Sequence, residues 1–167
     1  MPTVETSIEV GAPAAVVFDL AQDYRLRLAW DPFLRAIRAD SGGGPPGVGG
    51  RVWVRAKNGI AMTVAYVVFD RPRRVAVRMV SRSWLFARFA GSWSFEPCDV
   101  LANGRTNVVF RYGFETRWRA LRPLLDRLLV RIFARDMRER LAALKRAAED
   151  PAMVASLFES NRVQISA

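Results

Sequence analysis

The sequence predicts an α+β domain in which a curved, seven-stranded antiparallel sheet wraps around one long C-terminal helix, with two short helices after the first strand. Three observations lead there. Between Thr3 and Thr116, apolar and polar residues alternate in short runs separated by Gly, Pro, Asn and Asp, which marks half-buried strands in a meander. From Trp118 to Glu149 the apolar period lengthens to three and four residues, which marks an amphipathic helix. The 167 residues, 51% of them apolar, suffice for a single domain with its own core.

Thr3–Val10 puts Val4, Thr6, Ile8 and Val10 on one face and reads as the first strand. Gly11-Ala12-Pro13 ends it, and Pro13 suits the opening turn of a helix. Ala14–Ala21, carrying Val16, Val17, Phe18 and Leu20, reads as a short, mostly buried helix. Asp23–Trp30 reads as a second one, stopped at Asp31-Pro32 because the residue before proline avoids helical geometry. Six more strands are expected at Phe33–Ala39, Arg51–Lys57, Ile60–Phe69, Arg74–Ser81, Ala87–Phe95 and Thr106–Thr116. Between them lie the Gly/Pro-rich stretch Ser41–Gly47, the hairpin signal Asn58-Gly59, the turn Asp70–Arg73 and the turn at Asn103-Gly104.

In the long helix Leu121, Leu125, Leu128, Ile132, Leu141 and Leu144 recur at helical spacing, with Arg119, Arg122, Arg127, Arg135, Arg138 and Lys145 largely off that stripe. Pro123 falls in the opening turns, where proline is tolerated, and Asp150-Pro151 stops the helix. Residues 1–150 thus read as one domain. Residues 151–167 read as a tail, either loose or with a short helix around Met153, Val154, Leu157 and Phe158.

Composition excludes several chemistries. The chain has no histidine and one cysteine, Cys98, so neither a Ser-His-Asp triad nor an imidazole or multi-cysteine metal site is available. No metal and no cofactor is expected. One cysteine makes no internal disulfide, which fits a reducing, cytoplasmic setting. Residues 1–10 lack a basic segment followed by an apolar one, so no signal peptide is read there. The longest apolar run, Gly59–Phe69, falls short of the roughly 20 residues a spanning helix needs. The net charge of +10 is read either as a bias toward Arg and Ala on a solvated surface, the favoured reading, or as a sign of a polyanionic partner, whether nucleic acid, anionic lipid or an acidic ligand. The arginines are spread along the chain and no helix-turn-helix or aromatic RNP strand is evident, so nucleic acid is the disfavoured partner. Oligomeric state is not legible.

Several segments, taken in order, resemble the START-like (SRPBCC) superfamily, which includes polyketide cyclases, lipid-transfer domains and coenzyme Q-binding proteins. They are Ile8-Glu9-Val10-Gly11-Ala12-Pro13 followed by Val16-Val17-Phe18; Trp30-Asp31-Pro32; Phe69-Asp70-Arg71-Pro72-Arg73-Arg74-Val75; Trp93-Ser94-Phe95-Glu96-Pro97 with Asn103-Gly104-Arg105-Thr106; and Leu141-Ala142-Ala143-Leu144-Lys145-Arg146 with Glu149. The resemblance covers about residues 3–149 and implies the helix-grip fold, with a space left between sheet and helix for a hydrophobic ligand.

Alternation assigns the inward faces: Val108, Phe110, Tyr112 and Phe114; Phe89, Gly91, Trp93 and Phe95; and Val75, Val77 and Met79. Candidate ligand-binding residues are Val77, Met79, Phe89, Trp93, Phe110, Tyr112 and Phe114 from the sheet, and Leu121, Leu125, Leu128 and Ile132 from the helix. The alternative is a filled core. Tyr112, then Tyr66, are the inward polar groups, and a buried hydroxyl needs a partner, either a ligand carbonyl or a backbone group. Trp53 shares a face with Arg51, Arg55 and Lys57. Either that face is exterior, or Arg55 points inward as an anion anchor. Trp84, Leu85, Phe86 and Trp118 are large apolar residues in connections, flanked by Arg82, Arg88, Arg117 and Arg119. They form a ligand gate, a wedge for transient contact with an anionic membrane, or the closed end of the core.

Four functions compete. The first is a binder or carrier of a hydrophobic or aromatic small molecule (lipid, quinone or polyketide-like). The second is a cyclase or dehydratase using Tyr112, Tyr66, Arg55 or a carboxylate such as Asp19 or Glu115; alternation puts Glu115 and Arg111 outside, which weakens this reading. The third is a nucleic-acid binder on charge alone. The fourth is a membrane-associated lipid carrier.

Overall fold

The computed structural model describes residues 1–39, 47–98 and 104–165, with side chains through 159. Most of the Ser41–Gly47 turn, and Asn103 of the Asn103-Gly104 turn, lie outside the described residues. The elements are β1 (Thr3–Val10), α1 (Ala14–Gln22), α2 (Tyr24–Trp30), β2 (Leu34–Ala39), β3 (Arg51–Ala56), β4 (Ala61–Asp70), β5 (Arg74–Met79), β6 (Phe86–Pro97), β7 (Thr106–Thr116), a 3-10 turn at Arg119–Leu121, α3 (Arg122–Glu149) and α4 (Pro151–Ile165).

The strands form one antiparallel sheet in the order β1-β7-β6-β5-β4-β3-β2. Its two edges are therefore the strands on either side of α1 and α2. Register shifts interrupt β2 at Leu34/Ala36, β4 at Tyr66/Val68 and β6 at Phe86/Arg88. Each such bulge adds local bend and twist, and three on alternate strands help curl the sheet around α3. This is the helix-grip arrangement.

Local chemistry explains the boundaries that matter for the cavity. Asp23 ends α1 and caps α2, its carboxylate accepting from the N–H groups of Arg25 (2.9 Å) and Leu26 (3.4 Å). Gly59 adopts φ +88°, and the Asn58 side chain accepts from Ile60 N–H at 3.1 Å, which closes the β3–β4 hairpin. At Gly91 a Cβ would sit 3.0 Å from the Tyr112 ring, so glycine is what lets that ring lie flat across β6. Strand β6 begins at Phe86, earlier than alternation suggests, because the Phe86 side chain turns inward and is fully buried. Residues 151–165 form a helix whose Leu157 is buried, and α4 packs against α1 and α3. No helix among the described residues is long and apolar enough to cross a membrane.

The phase of α3 differs from expectation in its first half. Leu121 and Leu128 are each 53% exposed, Ile132 is 39% exposed, and Leu125 is half-buried. The buried stripe is Leu129, Phe133, Met137, Leu141 and Leu144. The N-terminal half of the helix carries apolar residues on two faces, and periodicity alone does not say which one the sheet covers. Leu141→Ala should therefore cost about 2–5 kcal/mol, whereas Leu128→Ala should stay within about 0.5 kcal/mol. Urea denaturation of the two variants checks the assignment, and equal losses would contradict it.

Candidate functional site: a cavity between sheet and helix

A cavity lies between the concave face of the sheet and α3, with about 120 Å³ open to water-sized molecules. A single water needs only about 10–15 Å³ of such space. Strand alternation supplies most of its wall: Val52, Val54 and Ala56 from β3, Met62, Val64 and Tyr66 from β4, and Val75 and Val77 from β5. Phe86, Phe89, Gly91 and Trp93 from β6, and Phe110 and Tyr112 from β7, continue it. Helix α3 closes it with Phe133 and Arg140. The aromatic wall is tightly interlocked: Trp93 stacks on Phe110 with centroids 3.7 Å apart, and Tyr112 meets Phe89 at 4.9 Å and Phe133 at 5.6 Å.

Behind this wall sits a buried ionic cluster. Asp31, only 2% exposed, follows α2 directly. Its carboxylate accepts from Arg27 Nε (3.1 Å), from Arg140 Nε (3.1 and 3.2 Å) and Arg140 Nη2 (2.8 Å), and from the Phe33 N–H (3.0 Å). Arg140 Nη1 donates to the Tyr112 hydroxyl, and Arg27 Nη1 to the Ala21 carbonyl. Aromatic faces complete the cage. The Arg27 guanidinium lies 5.1 Å from the Trp30 ring, and that of Arg140 lies 4.8 Å from Phe33 and 5.1 Å from Phe110. Two guanidiniums thus face one carboxylate, and the cluster carries one net positive charge.

Burial by itself would raise the Asp31 carboxyl, but Arg140 and Arg27 outweigh it and hold the group below the usual carboxylate range. Burial likewise opposes charge on Arg140, yet Asp31 and Tyr112 keep its pKa above the ordinary arginine value. Burial raises Tyr112 and Tyr66, which stay neutral hydroxyls. Burial also raises Tyr24, followed by the neighbouring Tyr66. A second polar group runs along the same wall: Tyr24 OH donates to Tyr66 OH at 2.7 Å, and Tyr66 OH donates to Gln22 Oε1 at 3.2 Å.

The sequence-predicted residues divide. Val77, Phe89, Trp93, Phe110, Tyr112 and Tyr66 line the cavity. Phe114 is buried against Phe86 and Phe133 instead of lining it, and Met79 packs half-buried against the core without lining it. Leu121, Leu125, Leu128 and Ile132 do not line it, because that helix face turns outward. Arg55 is exposed on the outer face with Arg51 and so is not an interior anchor; Trp53 lies on that face under the Arg38 guanidinium, 4.5 Å from its ring. Asp19 pairs with Arg71 at 2.6 Å, and Glu115 with Arg122 at 2.8 Å, so neither faces the cavity. The four apolar connection residues separate as well. Leu85 and Phe86 fold inward, while Trp84 and Trp118 stay exposed, joined by Trp118 Nε1 donating to the Trp84 carbonyl at 3.2 Å.

Sequence reasoning missed Gln22, Tyr24, Arg27 and Arg140 as site residues, and noted Asp31 only in a helix stop and a family-resembling segment, not as a site residue. One signal was present: Arg140 occupies the apolar stripe between Met137 and Leu144, where a charge survives only if paired. Among the described residues no three Cys, Asp or Glu side chains gather as a metal site. The described lining contains two arginines and no carboxylate, so the site is equipped to hold a polar or anionic group and has no carboxylate base.

Removing one member of a buried ionic cluster strands the others. Asp31→Asn should lose about 3–5 kcal/mol at neutral pH. A carboxyl whose pKa is depressed by folding contributes stability above its unfolded value of about 3.9, and that contribution disappears as pH falls through the folded value. The stability gap between wild type and Asp31→Asn should therefore be widest near pH 7 and narrow below about pH 4. Denaturant titrations across that range read it, and a gap independent of pH would contradict the ionised cluster.

Comparison with known proteins agrees with the geometry. The structure is similar to a Streptomyces aromatase/cyclase, Zhui (20% identity, TM-score 0.73, covering 89% of this chain and 93% of that one). It is similar to a START superfamily protein from Mycobacterium smegmatis (14% identity, TM-score 0.67, covering 88% and 97%). It also matches the di-domain aromatase/cyclase BexL (20% identity, TM-score 0.69), covering 87% of this chain but 46% of that longer one. At these identities the likeness speaks for the fold. No curated protein matches the chain. The family model described as polyketide cyclase/dehydrase and lipid transport matches residues 1–149, nearly the whole chain, and the protein belongs to that family.

Proposed function

We propose that the protein binds a hydrophobic or aromatic small molecule, of lipid, quinone or polyketide-like type, between its sheet and α3. The observation that carries this reading is the cavity itself, whose wall is almost wholly apolar and aromatic yet holds a few convergent polar groups. That combination suits a ligand with an extended apolar body and one polar end. The family description supports the same class of ligand. Cyclase chemistry has weaker support here, since the cavity's hydroxyls are raised by burial and Asp31 is committed to two arginines.

The apolar dye 1-N-phenylnaphthylamine should brighten on binding, and native mass spectrometry of freshly purified protein should show an extra mass that denaturation removes. Val54→Phe, which fills the cavity from β3, should weaken dye binding about tenfold or more, the equivalent of losing about 1.4 kcal/mol. A protein that is always apo and ignores the dye, or a filled variant that binds it equally well, would overturn the reading.

A second observation favours transient contact with an anionic membrane as the route of loading. Leu121 in the 3-10 turn and Leu124, Leu128 and Ile132 on one face of α3 are exposed, as are Trp84 and Trp118. Arg117, Arg119, Arg127, Arg131 and Arg135 are exposed around them. An apolar strip bordered by cations is the composition of an interfacial helix. Wild type should co-sediment with phosphatidylglycerol-containing vesicles and not with pure phosphatidylcholine. Leu124→Glu/Leu128→Glu should abolish this while leaving the thermal unfolding midpoint nearly unchanged. Equal sedimentation of the variant would remove the membrane from the proposal.

A further inference from the structure

The polar wall of the cavity contains an unmade hydrogen bond. Gln22 ends α1, is 6% exposed and lines the cavity. Its Oε1 accepts from Tyr66, but its Nε2 is buried and finds no partner among the described residues. The Tyr24 and Tyr66 hydroxyls form a chain that ends on Gln22 Oε1, and the same amide's Nε2 has nothing to donate to among the described residues. A buried donor without an acceptor is costly, and few are tolerated without a reason.

The same wall carries the uncompensated charge. Arg27 and Arg140 line the cavity with only Asp31 opposing them, and no carboxylate is among the described lining residues. Arg27 stands between the two polar groups: it is bonded to Asp31 and close enough to Tyr24 and Tyr66 to act electrostatically on both hydroxyls. Apart from Gln22, the two arginines and the three tyrosines, the described lining is apolar, with Ile60, Met62, Phe86, Phe89 and Phe133 among it. A group that accepts hydrogen bonds, carries negative charge and is joined to an apolar body satisfies all three features at once.

We infer that the cavity selects amphipathic carboxylic acids, the carboxylate accepting from Gln22 Nε2 under the positive charge of Arg27 and Arg140 and the apolar body lying toward Phe86 and Phe133. This rests on the small-molecule reading above and narrows its ligand class. A neutral lipid, alcohol or ester would fill the apolar part of the cavity but leave the excess charge unpaired, so discrimination arises at the head and not along the tail. A charge-assisted hydrogen bond is about twice as strong as a neutral one, and it acts here in a region shielded from water.

The test is displacement of 1-N-phenylnaphthylamine at pH 7 by decanoic acid and by 2-naphthoic acid, each against its own methyl ester. The two acids distinguish an aliphatic from an aromatic source of the same head group. At least one acid should bind about tenfold or more tightly than its ester. Gln22→Glu places the anion on the protein itself and should collapse the acid-to-ester ratio toward one or below. Gln22→Met removes the donor without adding charge and should lower the ratio about threefold or more; it keeps the test decisive if the glutamate variant folds poorly, and near-ultraviolet circular dichroism reports folding of both. Esters binding as well as acids, or a ratio unchanged in a folded variant, would overturn the inference while leaving the small-molecule reading intact. Failure of dye, acids and esters alike would overturn both.

Discussion

The carboxylate of Asp31, held between Arg27 and Arg140, ties together elements far apart in the chain. Asp31 follows α2, Arg27 lies within it, Arg140 comes from α3, and Tyr112, bonded to Arg140, comes from β7. One charged cluster therefore joins a short helix, the long helix and the centre of the sheet across the middle of the molecule. Ions this deeply buried gain little over well-packed apolar residues in net stability, but each one makes the others mandatory. The elements carrying them consequently have few alternative ways to pack, and the long helix is held at one rotation about its axis.

That constraint also shapes the cavity. Because Arg140 must reach Asp31 and Tyr112, α3 turns Leu129, Phe133 and Met137 toward the sheet and leaves Leu121, Leu124 and Leu128 outside. Because Gly91 lacks a side chain, the Tyr112 ring lies across β6 and brings its hydroxyl under the guanidinium. The result is an apolar chamber with a few polar groups in its wall and aromatic side chains braced edge to face against one another. Membership of the polyketide cyclase/dehydrase and lipid transport family sets the fold, but a fold of this kind hosts different activities, and it is these side chains that give the chamber its chemistry.

Much of the architecture was legible because strands advertise themselves with period two. Thr3–Val10 and Thr106–Thr116 match the observed strands at both ends, and alternation put Val77, Phe89, Trp93, Phe110 and Tyr112 on the inward face, while the cavity they line was implied by the family resemblance. A strand has only two faces, so one bit of information assigns every residue on it. A helix with apolar residues on two sides carries no such bit, which is why Leu121, Leu125, Leu128 and Ile132 were placed on the wrong side. The buried ions were missed for a related reason: a chain with a net charge of +10 disguises two buried arginines among many solvated ones.

The sequence by itself determined the class of fold, the order of its elements and the inward face of each central strand, because these follow from local periodicity and turn chemistry. It also determined that histidine-based catalysis is closed to this chain. The tertiary structure alone decided which side of α3 meets the sheet, that Arg55 lies outside while Arg27 and Arg140 lie within, and that Gln22 ends a relay of hydroxyls with a donor to spare. Those outcomes depend on contacts between residues as far apart as Asp31 and Arg140, and pairing at such separation leaves no periodic trace in the chain.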